Sequence, residues 1–69
     1  MFMDLKIEKD VDKLVVSVAE FDVIKFTELL DNYGIFYKDI GDGHVSEIGY
    51  AITFDVDLDA LNILNRVKR

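Results

Sequence analysis

Few side chains in this sequence have the chemistry to act on a substrate. His44 is the lone imidazole and stands in I-G-D-G-H, with Asp39 and Asp42 close by. A histidine among carboxylates can move protons or hold a metal, but proton transfer demands a positioned partner and a pocket. Neither is visible in the flanking residues, and a polar residue in a tight turn explains His44 as well. The same segment, Asp39-Ile40-Gly41-Asp42-Gly43, shares letters with a calcium loop but lacks its alternating acids and its closing bidentate Glu. Asp55, Asp57 and Asp59 form an acidic run. Alternate spacing across a strand-to-helix junction scatters those carboxylates, and capping of the following helix accounts for them. No catalytic, metal-ligating or cofactor-binding residue is therefore assigned, and the chain is read as non-enzymatic.

The elements that would carry a site are better defined. In V-S-E-I-G-Y-A-I-T-F-D-V, from Val45 to Val56, the large apolar residues Ile48, Tyr50, Ile52, Phe54 and Val56 alternate with polar or small ones. That period of two is a strand lying over a core. Gly49 inside it marks a bulge, a close approach of another backbone, or filler between aromatics. Met1 to Lys9 alternates more weakly, and Asp10 to Lys13 is polar enough to turn. Leu14 to Phe21 is rich in β-branched residues and nearly apolar on both faces, as an interior strand is. These two strands form a hairpin. Ile35 to Ile40 returns to strand character, and Gly41-Asp42-Gly43-His44 holds an Asp-Gly pair that predicts the turn of a second hairpin.

Two helices separate and follow these pairs. Asp22 is placed as an N-cap, Val23, Phe26, Leu29, Leu30 and Tyr33 fall on one stripe, and Gly34 sits where a left-handed C′ residue belongs. Ile24 is the misfit, an apolar residue on the wet side. After Val56, Asp57 caps a second helix whose buried side is Ala60, Leu61, Ile63, Leu64 and Val67, with Arg66, Lys68 and Arg69 near its negative end.

The predicted fold class is α+β, a single small ββαββα domain over residues 1–69 with a four-stranded antiparallel sheet and two helices on one face. By element order it resembles a ferredoxin-like domain, βαββαβ, whose last strand has been moved to the front, a permutation tolerated where chain ends lie close together. The side of the sheet away from the helices then carries Phe2, Val15, Ser17, Ala19, Phe21, Gly49, Ala51 and Thr53, apolar in patches and flat in the middle. An exposed apolar face marks a docking place, against the plainer reading of an ordinary sheet surface. Val15, Ala19, Phe21, Tyr37 and Ala51 are the expected contacts with a partner or ligand. Tyr37 is included because its hydroxyl reaches solvent at a rim.

Composition narrows the partner. At 69 residues, folding removes only about 60 % of the unfolded surface. Without Cys and with one His, disulfides are ruled out as reinforcement and a structural zinc is disfavoured, which leaves self-association, a dimer first. Fourteen Asp and Glu against eight Lys and Arg give a net charge of -6, and three of the cations lie in the last four residues. Nucleic acid is disfavoured for want of a basic cluster. Nothing resembles a signal peptide or a membrane span, so a cytoplasmic location is expected. The leading expectation is a small protein-binding regulator or inhibitor acting as a homo-oligomer. The alternative is a small-molecule-binding sensor with its ligand pocket at the protomer interface. A dimeric enzyme using His44, and a DNA mimic built from carboxylates, rank below both.

Overall fold

The computed structural model describes residues 2–69, the side chain of Asp42 excepted; Met1 and that side chain, both invoked above, lie outside what is described. The fold is α+β, an antiparallel sheet with two helices. Strands β1 (Leu5–Lys9) and β2 (Lys13–Ala19) form the first hairpin, and a 3-10 turn, Glu20–Asp22, leads into helix α1 (Val23–Asn32). Strands β3 (Tyr37–Ser46) and β4 (Gly49–Asp57) form the second hairpin. A 3-10 turn, Leu58–Ala60, then opens helix α2 (Leu61–Val67). Across the sheet the strands run β1-β2-β4-β3, each antiparallel to its neighbour. Beyond α2 the chain straightens beside the start of β1, where Met3 and Lys68 form an isolated parallel bridge.

The core follows from the period-two pattern. Leu5 of β1, Leu14, Val16 and Val18 of β2, and Phe54 and Val56 of β4 point one way, against Phe26 and Leu30 of α1 and Ala60 and Leu64 of α2. Phe26 and Phe54 are the largest of these, with ring centroids 5.0 Å apart and planes tilted by 47°. Such aromatic pairs contribute roughly 0.5–1.5 kcal/mol beyond their burial. The chain exposes 4457 Å², close to the ~4,400 Å² expected of a folded monomer of its mass. It therefore closes its core by itself.

Both helix ends have explicable chemistry. At the end of α1 the Gly34 amide donates to the Asp31 carbonyl and the Ile35 amide to the Leu30 carbonyl, with Gly34 at φ 67. This is the Schellman arrangement, with Ile35 packed back on the core. Asp57 caps the turn before α2, its carboxylate accepting from the Asp59 amide at 3.0 Å. Asp22 does not cap α1. Its side chain turns away from the helix and accepts from the Asp4 amide at 2.9 Å, so it serves β1 instead.

The second hairpin reverses later than expected. β3 runs on through Gly41-Asp42-Gly43-His44 and turns at Glu47 and Ile48. The Asp-Gly segment makes a bulge: Asp39 pairs with Phe54 and Gly43 with Ile52, so residues 40–42 stand against Thr53 alone. The Asp39 carboxylate accepts from the Gly41 amide at 2.7 Å, and Gly41 takes φ 74. That local bond kinks the strand without reversing it. At the true turn Gly49 adopts φ 92, and Ser46 donates from its hydroxyl to the Gly49 carbonyl while accepting from the Ile48 amide. A left-handed glycine closing a short hairpin is the G1-bulge pattern.

Candidate interaction surface

Val15, Ala19 and Ala51 lie on the side of the sheet away from the helices, as the alternation predicts, and differ in exposure. Val15 lies half-buried on the side of the sheet away from the helices. Ala19 and Ala51 are on that side too and face each other in register, but both are buried, Ala51 completely. Across them the Lys6 ammonium of β1 meets the Glu47 carboxylate of the β3–β4 turn at 2.9 Å, drawing the turn over the sheet. Tyr37 is on the opposite side, its ring 6.1 Å from Phe54 and edge-on to it. Partial burial and the neighbouring Asp31 carboxylate raise its phenol above the ordinary 10.0. Register places Tyr37 there: it pairs with Val56, whose side chain enters the core, whereas Lys38 beside it pairs with Asp55 on the open side.

The open side is consequently more polar than the sequence suggests. Its rows end in Lys6 and Glu8 on β1 and in Lys38 and His44 on β3, with Lys13 paired to Asp55 at 3.2 Å. His44 is in strand β3 opposite Ala51, exposed, and not in the turn. Among the described residues, no group of three or more His, Asp or Glu is placed to hold a metal.

Exposed large apolar side chains occur in several places, among them Val11, Val45 and Phe36, and one group lies where β2 gives way to α1. Phe21, in the turn before α1, is 93 % exposed, Ile24 one helical turn later 72 %, and Phe2 59 %. The Asp22 carboxylate, itself only 8 % exposed, ties the segments carrying Phe21 and Phe2 together through the Asp4 amide and adds an ion pair to Lys25 at 3.7 Å. Full exposure of a phenylalanine forgoes roughly 1.5–3 kcal/mol of burial; Phe21 forgoes nearly all of it, Ile24 and Phe2 a part of theirs. Of the five expected contacts, Phe21 alone is fully in solvent. Phe2 and Ile24 complete the patch; Ile24 was visible beforehand as the apolar residue on the wet side of α1.

At the other end of the sheet a shallow groove of ≈ 270 Å³ lies between Lys13, Lys38, Asp55, Asp57 and the exposed ring of Phe36. It is open to solvent and mixed in charge. Among the described residues no helix is long and apolar enough to cross a membrane. No protein-family model, no curated protein and no solved structure matches this chain.

Proposed function

We propose that this chain is a small, non-enzymatic, cytoplasmic protein-binding regulator or inhibitor that acts as a homo-oligomer, with Phe21 as the anchor of its partner contact. The observation that carries the reading is the exposure of Phe21, the most exposed of the large apolar side chains among the described residues, with the exposed Ile24 and Phe2 carried on the segments that Asp22 ties to it. Aromatic side chains standing free on a rigid turn are the groups that supply binding energy at protein interfaces. The test is affinity capture with wild-type and Phe21→Ser baits. Phe21 contributes nothing to the core, so the variant keeps its fold and loses the partner. Identical captures by both baits would refute the assignment.

The same proposal takes the architecture to be a permuted ferredoxin-like domain with four principal strands. What supports it is the strand order, since moving the last strand of a βαββαβ sheet to the front produces β1-β2-β4-β3. The Met3 amide also donates to the Val67 carbonyl at 2.8 Å, so the end of α2 and the start of β1 are neighbours, as an unpermuted connection requires.

A second reading, the small-molecule sensor, draws on the groove between Phe36, Lys13 and Lys38. Facing a second copy, that groove becomes a pocket with an aromatic wall, two lysines and three aspartates, Asp12, Asp55 and Asp57. Thermal-shift measurements against small polar and aromatic ligands discriminate, because a ligand of the folded form raises the melting temperature.

A further inference from the structure

We infer that two copies of this chain join through the outer edges of their β1 strands, antiparallel and centred on Ile7, making one continuous sheet. The inference deepens the homo-oligomer part of the proposed function and rests on it. Within β1 the even-numbered residues turn their backbone groups toward β2: the Ala19 amide donates to the Asp4 carbonyl, and the Asp10 amide to the Lys13 carbonyl. The odd-numbered residues therefore turn theirs outward. At Met3 these outward groups are occupied, the amide by Val67 and the carbonyl by Arg69. At Leu5, Ile7 and Lys9 they face solvent as a regular row of donors and acceptors, the feature that templates strand addition.

The two edges of the sheet differ. β3, the other outer strand, is interrupted by the bulge at residues 40–42, which breaks the outward row. β1 pairs with β2 without any irregularity from Leu5 to Lys9.

A second copy fits this edge because the strand is complementary to itself. With the twofold axis at Ile7, Ile7 lies opposite Ile7 of the other copy and burial of its half-exposed side chain is extended. Lys6 lies opposite Glu8, and Glu8 opposite Lys6, so that both cross-strand neighbours on the open side are of opposite charge. Leu5 lies opposite Lys9. Beyond the paired segment the same register brings Asp10 of one copy opposite Asp4 of the other, whose carboxylate is paired with Arg69 at 3.4 Å. The Asp10 amide turns back to the Lys13 carbonyl, so each chain leaves the shared edge after Lys9, while residues 67–69 take up the edge at Met3.

The experiment uses the full chain and two charge reversals at exposed positions, Lys6→Glu and Glu8→Lys, each checked for fold by circular dichroism. Light scattering after size exclusion, across micromolar to millimolar concentration, shows a wild-type dimer. Each variant sets like charges opposite one another twice per dimer and weakens it on the order of ten- to thirtyfold. An equimolar mixture of the two variants restores pairing as a heterodimer, since every Glu then faces a Lys. Amide exchange gives an independent reading: in the dimer the Leu5, Ile7 and Lys9 amides are protected, and that protection falls on dilution. A wild-type dimer indifferent to both reversals would overturn the β1 interface and leave self-association standing. A wild-type monomer at every concentration would overturn both.

Discussion

Tyr50 lays its hydroxyl against the α-carbon of Gly43, across the β3–β4 pair, so closely that a β-carbon at position 43 has no room. Gly43 follows the bulge directly, so the ring of Tyr50 covers the stretch of backbone where the ladder resumes. Gly43→Ala is expected to cost on the order of 1 kcal/mol in urea denaturation, because the half-exposed Tyr50 ring can swing aside at modest expense. In a Tyr50→Ala background the same substitution should be neutral. A full penalty in that background would show that the glycine is needed for its backbone and not for the space above it.

Asp22 is the buried charged residue of the described chain, and its carboxylate satisfies the Asp4 amide. Asp22→Ala orphans that amide at a partly buried position and is expected to cost roughly 1–3 kcal/mol. Asp22→Asn retains an acceptor oxygen and should cost distinctly less, since the ion pair to the exposed Lys25 contributes little. The comparison is read from urea midpoints. Equal losses in the two variants would mean that charge, not the hydrogen bond to β1, is what position 22 provides.

The Lys6–Glu47 pair gives the fold a pH signature. Its hydrogen bond and charge attraction hold the Glu47 carboxyl below the ordinary 4.5 and the Lys6 ammonium above the ordinary 10.5. A lowered carboxyl stabilises the fold above its unfolded pKa, and this is lost as the pH falls through the folded value. A raised ammonium stabilises below its unfolded pKa, and this is lost as the pH rises through the folded value. The melting temperature of wild type minus that of Glu47→Gln should thus be positive at neutral pH and vanish at both extremes. Both groups are exposed, so molar salt should shrink the difference as well. A difference that persists unchanged in acid would rule the pair out as its source.

Much of this fold can be read from local patterns, and the misreadings share one origin. Alternation in β1 and β4, the β-branched run of β2 and the stripe ending at Gly34 are consequences of period and cap chemistry, which neighbouring residues determine. The Asp-Gly segment is different. A left-handed glycine suits a hairpin turn and a bulge equally, and the choice is made by how far β4 extends on the other side of the ladder. His44 moved from turn to strand with it. For the docking face the deciding event is equally remote in sequence: Ala19 and Ala51 are buried beneath an open side that the Lys6–Glu47 pair spans, while Phe21 is exposed because the chain leaves the sheet one residue before it can pair.

Gly34 separates backbone strain from lack of space in the opposite sense to Gly43. Nothing lies within 4 Å of where its β-carbon would be, yet φ is 67, a conformation that costs an ordinary L-residue roughly 1–2 kcal/mol. Gly34→Ala should therefore lower stability by about 1 kcal/mol although no contact is lost, and Gly34→Asn by less, because asparagine tolerates the left-handed region. Gly34→Val, branched at the β-carbon, should be the worst of the three. The order Asn, Ala, Val in urea midpoints follows from the Schellman turn that joins Leu30 to Ile35 and so keeps Ile35 on the core. An Ala variant as stable as wild type would mean that the end of α1 can close in another way without releasing Ile35.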